Sequence, residues 1–270
     1  MSVRDSLGDR QKEFYENRSK TYLTRRTPII IRIDGVAFHT FTRGLRKPYD
    51  NLFIKVMQLT CKDLCQKVQG CKLGYVESDE ISLLLTDYDT LTTDAWFGYS
   101  VQKICSVAAS MAAMYFNRNF AKCVEEFYKN NVEDNWREDE DEKYYNNVLL
   151  KKVELGGYFD ARAFNIPESE VVNYFIWRQN DASRNSIQGL AQAHFSQKQL
   201  QNLNNSQLQD KLMLEKNINW NDCTTVEKRG TCVKRISVAG EVDWTIDNDI
   251  PIFTKDRNYV EEVLPKDDEL

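Results

Sequence analysis

Pro28-Ile29-Ile30-Ile31-Arg32-Ile33-Asp34-Gly35 is the stretch that decides the fold. A short β-branched run closed by Asp-Gly leaves no room for a helix, so it reads as a buried strand that ends on a carboxylate. From Asn51 to about Val68, residues Phe53, Val56, Met57, Thr60, Cys61 and Leu64 recur three and four apart, the spacing of a helix with one inward face. Gly74-Tyr75-Val76-Glu77 and Ile81-Ser82-Leu83-Leu84-Leu85 flank the polar corner Ser78-Asp79-Glu80, which predicts two strands joined tightly there. Asp94 is placed to cap a long helix to about Asn117 with Phe97, Val101, Ile104, Cys105, Ala108 and Ala112 inward, and Tyr158 to Phe164 reads as a further strand.

The order strand, helix, strand, strand, helix, strand is the split βαβ, ferredoxin-like plan, an α+β fold whose antiparallel sheet carries helices on one face. Glu133 to Glu142 is strongly acidic and is expected to be a surface loop or insertion. After Pro167, a suitable first-turn residue, a helix is expected over Ser169 to Ala193. The Gln/Asn-rich stretch from Gln197 to Gln209 reads as exposed helix and linker, and the chain from Asp222 on as short strands and irregular tail.

Composition narrows the function. The 270 residues are 41% hydrophobic and 29% charged, the ordinary globular range, with room for one large or two smaller domains. No run approaches the ~18 apolar residues of a membrane span, and Met1-Ser2-Val3-Arg4-Asp5 is too polar for a signal peptide. Asp267-Asp268-Glu269-Leu270 brushes against an ER-retention signal, but by chance in a chain without an entry signal. The 7 cysteines are odd in number and lack a C-x-x-C pair, which suits reduced thiols and a cytoplasmic location. With 36 basic against 41 acidic residues, net −5, any nucleic-acid contact must come from local basic patches.

Two carboxylates stand out. Asp34 ends the first strand, and a right-handed crossover places Asp79, at the hairpin corner, beside it. A hard cation such as Mg²⁺ takes one or two carboxylates plus substrate phosphates, and two-metal sites hold their ions roughly 3.5–4 Å apart for in-line displacement at phosphorus. The same residues also suit plain turns. Gly35-Val36-Ala37-Phe38-His39 leaves the strand through a glycine that lets backbone N–H groups approach an anion, so the turn could cradle a triphosphate; for His39 a packed or surface imidazole is an equal alternative. Lys47 and Asp50 add a cation and an anion nearby but mean little alone.

Arg32-Ile33-Asp34-Gly35-x-x-Phe38-His39, Lys47-Pro48-x-Asp50, Ser78-Asp79-Glu80 followed by Ser82, Phe159-Asp160-Ala161-Arg162, Trp177-Arg178-Gln179-x-Asp181-Ala182 and Arg229-Gly230-Thr231 together resemble the tRNA-histidine guanylyltransferase family. The resemblance spans about Thr27 to Thr231. It implies a palm-like domain similar to that of polymerases and nucleotide cyclases, here adding nucleotides to the 5′ end of tRNA in the 3′-to-5′ direction after activation by ATP or GTP. By motif position Asp34, Asp79 and Glu80 are the catalytic carboxylates. Two Mg²⁺ would be held by Asp34, Asp79 and the carbonyl of Gly35, with Ser78 and Glu80 in support. The nucleotide would contact Gly35, Val36, Ala37, Phe38, His39, Lys47, Asp50, Ser78 and Lys103, although Lys103 suits an exposed helix position equally well.

Where the eukaryotic tRNA-histidine enzymes carry His-Ile-Asn-Asn-Leu-Tyr-Asn-Thr, this chain has Ser183-Arg184-Asn185-Ser186-Ile187-Gln188-Gly189-Leu190. That departure resembles the family's like proteins, template-dependent 5′-end repair polymerases. Arg178, Asp181, Arg184 and Asn185 recur on one helix face and, with Arg32, would touch RNA or nucleotide; a helix-surface ion-pair network is the alternative. The resulting division is a palm-like catalytic half at 1–132, the acidic insertion at 133–147, the remaining catalytic and RNA-contacting part at 148–243 and a tail at 244–270. The leading expectation is a template-dependent 3′-to-5′ polymerase that repairs truncated tRNA. The alternatives are addition of a single G to histidine tRNA, a palm-fold nucleotide cyclase, and a non-catalytic RNA binder. A dimer or tetramer is expected from the resemblance, and a membrane partner is not.

Overall fold

The computed structural model describes residues 6–131, 140–238 and 241–265. Its elements in chain order are α1 (Ser6–Phe14), β1 (Ile29–Gly35), α2 (Phe38–Phe41), α3 (Asn51–Lys67), β2 (Cys71–Glu77), β3 (Glu80–Leu85), α4 (Val101–Asn131), α5 (Glu140–Leu155) and β4 (Phe159–Asn165). They continue with α6 (Glu168–His194), α7 (Gln197–Leu200), α8 (Asn205–Lys216), α9 (Thr225–Arg229), β5 (Thr231–Val238), β6 (Glu241–Asp247) and α10 (Asn258–Glu261).

The strands form one 6-stranded sheet in the order β4-β1-β3-β2-β5-β6, with every neighbouring pair antiparallel. The first four positions in that order are the split βαβ arrangement read from the sequence; the β5–β6 hairpin extends it past β2. The expectation of helices on one face is corrected. Consecutive isoleucines put apolar side chains on both sides of the pleat, so a strand such as β1 is stable only when covered twice. Ile29, Ile31 and Ile33 pack with Ile81, Leu83 and residues of α3 and α4 in one core, whereas Ile30, Leu84, Leu73 and Tyr75 pack with Val171, Val172, Tyr174 and Phe175 of α6 in a second. Ile250, Phe253 and Val260 complete the second core, so the chain beyond 243 is packed structure as well as tail. The far half of α6 leaves the sheet and forms a third cluster with α8 through Ile187, Leu190, Leu208 and Leu212.

Three other expectations shift. The long helix α4 begins at Val101, and Phe97, expected inward, is exposed, because Phe97, Gly98 and Tyr99 all take positive φ and break the chain there. Within the expected acidic loop, residues 133–139 lie outside the described residues, but 140–147 are helical: Glu140, Asp141 and Glu142 occupy the first turn of α5, where negative charge is favoured by the helix dipole. All seven cysteines are free thiols. Among the described residues no helix is long and apolar enough to cross a membrane.

Candidate active site

The register of the sheet builds a row of carboxylates. Asp34 pairs with Asp160 on one side and Glu80 on the other, and Glu80 pairs with Glu77, so Asp160, Asp34, Glu80 and Glu77 lie side by side across β4, β1, β3 and β2. Period-two alternation puts them on the face that carries α6. Asp79 stands at the end of this row in the two-residue turn between β2 and β3, and its carbonyl accepts the N–H of Gly35 at 3.1 Å, tying the corner to the end of β1. Ser78 holds a positive φ of 49° in that turn, and its hydroxyl donates to Asp79 Oδ1 at 3.1 Å.

Such a row repels itself, and α6 supplies the compensation. Arg178, buried, grips Glu80 through two bonds, Nε to Oε1 at 2.7 Å and Nη2 to Oε2 at 2.9 Å, and reaches Asp181 at 2.6 Å and Glu77 at 3.4 Å. Arg32 stands 3.9 Å from Glu80. Even so, burial and the neighbouring Glu80 push the Glu77 carboxyl up to about 8, because the long contact with Arg178 offsets only part of that cost. Burial raises Asp79, with Asp34 adding to the shift and His39 pulling against it; burial raises Glu80 too, against the pull of Arg178.

Among the described residues no basic side chain forms an ion pair with Asp34 or Asp79. Nor do any three His, Cys, Asp or Glu side chains converge into a ready-made metal cage there. A pair of adjacent, partly desolvated carboxylates without a cation from the chain is the donor set that suits a hard divalent ion completed by substrate phosphates. The chemistry of the site therefore fits Mg²⁺.

Beyond Asp34 the chain turns sharply. Gly35 is expected to give an anion access to the backbone; its side-chain-free Cα is also required by packing, because a Cβ there would lie 2.4 Å from the Phe38 ring. Phe38 in turn is locked in an aromatic cluster, its ring centroid 5.1 Å from Phe41, 5.3 Å from Phe116 and 5.0 Å from Phe159. Ala37 is left-handed, with φ 56°, and the N–H groups of Ala37, Phe38 and His39 meet no acceptor among the described residues. Consecutive N–H groups around a left-handed residue form an anion-binding concavity. Ala37, His39, Thr42, Ser78 and Asp79 line an open cleft of about 350 Å³ at this point, where Val36 and His39 are exposed.

The remaining expected residues divide. Lys47 is exposed and lines a neighbouring cleft of about 280 Å³ with Tyr49, Glu77, Ser78, Asn185 and Arg229. Asp50 is committed elsewhere: it caps α3 by accepting from Phe53 N–H at 2.9 Å and also takes bonds from Arg46 N–H and the Tyr145 hydroxyl. Lys103 is not brought to the cluster. It sits in the first turn of α4 beside Phe97, where Ser100 bridges to Tyr22 and Thr24 bonds Asn165, the end of the sheet opposite Asp34. Arg178, Asp181 and Arg184 form the ion-pair network that is the alternative to RNA contact, with Arg184 bonded to Asp181, while Asn185 is exposed on the cleft. Sequence reasoning passes over Glu77 and Asp160; their signal is strand alternation in phase with Asp34, inside motifs that stand out for other residues.

The family model described as Thg1, tRNAHis guanylyltransferase, matches residues 9–167, more than half of the chain. The tRNA(His) guanylyltransferase of Debaryomyces hansenii is 27% identical over 243 residues, covering 85% of this chain and 80% of that protein. The Saccharomyces cerevisiae enzyme is 27% identical over 236 residues, covering 80% and 88%. A solved bacterial tRNA(His) guanylyltransferase (Thg1)-like protein in complex with ATP is 45% identical, with TM-score 0.79 over 96% of this chain and 98% of that one. Another such structure, in complex with GTP, is 41% identical with TM-score 0.76 over 96% and 99%. By class the chain is a nucleotidyltransferase. It belongs to the tRNAHis guanylyltransferase family, as the motifs implied.

Proposed function

We propose that this chain adds guanylate to the 5′ end of histidine tRNA by 3′-to-5′ nucleotidyl transfer, with ATP and GTP as substrates and Mg²⁺ as cofactor. The observation that carries the reading is the juxtaposition of Asp34 and Asp79, without basic partners among the described residues, against a turn whose Ala37, Phe38 and His39 N–H groups meet no acceptor among the described residues. The β4-β1-β3-β2 core is read as a palm that presents this pair. Phosphoryl transfer asks for positioning and charge stabilisation more than for a protein nucleophile. Asp34, Asp79 and the Gly35 carbonyl would hold two Mg²⁺, which when bound supply charge stabilisation to phosphate oxygens. Within the turn from Gly35 to His39 the N–H groups of Ala37, Phe38 and His39 bind the triphosphate, those of Gly35 and Val36 being held by the Asp79 and Tyr158 carbonyls, and Ser78 orients the Asp79 carboxylate by its hydrogen bond. Glu80 acts indirectly: bound to Arg178, it fixes α6 against the hairpin corner.

The sequence alone ranks repair of truncated tRNA first. The curated relatives, matched over most of this chain, are named tRNA(His) guanylyltransferase, and that moves guanylate addition to histidine tRNA ahead. Template-dependent repair is the second reading, favoured by the segment 183–190 and by the higher identity to the bacterial Thg1-like proteins. In that segment Ser186, Ile187 and Leu190 are buried and Arg184, Asn185 and Gln188 exposed. A panel of 5′-monophosphate tRNAs, full-length and 5′-truncated, incubated with ATP, Mg²⁺ and each nucleotide separates the two. G alone on histidine tRNA supports the first; additions that follow the opposite acceptor strand support the second; cyclic product from GTP without RNA refutes both.

A further inference from the structure

Trp177 is a large aromatic side chain left nearly half exposed, at 47%, between two inward neighbours on α6. Tyr174, one turn earlier, shares a hydrogen bond of 2.7 Å with Ser82, and Arg178 is buried among the carboxylates. The indole is nonetheless held in place. The Tyr174 ring meets it edge-on at 5.8 Å, and the guanidinium carbons of Arg178 and Arg32 lie 4.6 and 5.7 Å from its centroid. Arg32 pairs across the ladder with Arg162 of the edge strand β4, so a basic row, Arg162 and Arg32, runs parallel to the acidic row that begins with Asp160 and Asp34. The two rows are two residues apart on the same face, about 7 Å along the strand.

We propose that Trp177, with Arg32 and Arg162, is a stacking shelf for a nucleobase at the 5′ end of the RNA. An immobilised indole accepts any base through its π-face, and the guanidinium row attracts the phosphate attached to it. Placement assigns the shelf to RNA rather than to the nucleoside triphosphate: the turn from Gly35 to His39 follows Asp34 in the chain, beyond the end of β1, and the shelf precedes it. The two ligands then approach Asp34 from opposite sides. The inference rests on the proposed function, from which its test is separable because it reads binding rather than incorporation.

Full-length wild-type protein, Trp177→Leu and Trp177→Phe are compared for equilibrium binding of a 5′-monophosphate tRNA in Mg²⁺ without nucleotide, for GTP binding and for thermal unfolding. Base stacking predicts that Trp177→Leu weakens tRNA binding by about 5- to 150-fold while Trp177→Phe stays within about threefold and GTP binding is unchanged. A tRNA whose 5′ nucleotide lacks its base should bind wild type and Trp177→Leu equally, which keeps the test decisive even if the leucine variant is less stable. Unchanged tRNA affinity in Trp177→Leu overturns the proposal. So does loss of GTP affinity with tRNA affinity intact, which assigns the shelf to the triphosphate's base. A wild-type protein that binds tRNA through Trp177 but incorporates nothing refutes the proposed function and leaves the shelf standing.

Discussion

The guanidinium of Arg178 lies in a two-bond fork against the carboxylate of Glu80, Nε to Oε1 at 2.7 Å and Nη2 to Oε2 at 2.9 Å. The same group also reaches Glu77 at 3.4 Å and Asp181 at 2.6 Å. One side chain thus ties the end of β2, the start of β3 and the middle of α6 together, and the turn that carries Asp79 is held between the first two.

Removing Arg178 should therefore destabilise the fold and disorder the site together. Arg178→Met leaves buried Glu77 unpaired and half-buried Glu80 with only Arg32 at 3.9 Å, and breaking a buried pair of this kind costs about 3–5 kcal/mol. Arg178→Lys keeps the charge but not the fork and should recover only part of it. Urea unfolding of the two variants reads this directly. A loss below about 1 kcal/mol in Arg178→Met would mean that water already solvates the cluster.

Gly35 tests whether the turn is held by packing. In Gly35→Ala the new Cβ would overlap the Phe38 ring, and overpacking of this kind costs about 1–3 kcal/mol. Phe38→Leu in the same chain vacates the ring's space and should restore the Gly35→Ala loss relative to Phe38→Leu alone. A double-mutant cycle by thermal unfolding measures the coupling; additivity of the two losses would show that the ring does not constrain Gly35.

The half of the architecture built on periodicity is legible in the residues alone: β1, α3, the β2–β3 hairpin and β4 follow from runs such as Ile29 to Ile33 and the spacing of Phe53, Val56 and Met57. The second layer is not, because the residues of α6 that cover the sheet are mixed. Val171, Val172 and Phe175 are apolar, but the same face continues into Arg178, whose charge reads as a ligand contact until Glu80 is seen opposite it. Asp50 misleads for a similar reason: a carboxylate near a lysine looks like a binding pair, yet its position just before Asn51-Leu52-Phe53 is that of a helix cap. Asp34 and Asp79 are legible as neighbours because a strand end and a hairpin corner have few places to go, whereas the part played by Asp160 depends on register.

Ser78 carries a positive φ at the first central position of its turn, a place where glycine is at ease. The left-handed conformation costs roughly 1–2 kcal/mol in a residue with a Cβ, and glycine returns roughly half of that to chain entropy. Ser78→Gly should therefore be more stable than Ser78→Ala by about 0.5 kcal/mol, while both lose the hydrogen bond to Asp79 and both incorporate nucleotide more slowly than wild type. Equal turnover of wild type and Ser78→Gly would remove the hydroxyl from the account of the site.

Asp34 and Asp79 decide the metal assignment, and they can be tested without a reaction. A ligand that binds only the folded chain stabilises it by RT ln(1 + [L]/Kd), about 2.7 kcal/mol at a hundred times Kd. Magnesium should accordingly raise the unfolding temperature of wild type, and calcium, with the same oxygen preference, should do so as well. Asp34→Asn and Asp79→Asn each remove a negative charge from a crowded row, so without metal they should be at least as stable as wild type, because burial and like charge already disfavour ionised Asp79. With metal the order reverses: wild type gains and the asparagine variants do not. Incorporation should fall by about 10³-fold or more in either variant, the several kcal/mol of charge stabilisation a bound ion supplies to transferring phosphoryl oxygens. A magnesium-dependent shift that survives in both variants would place the ion elsewhere on the chain, and turnover preserved in either would detach these carboxylates from the chemistry.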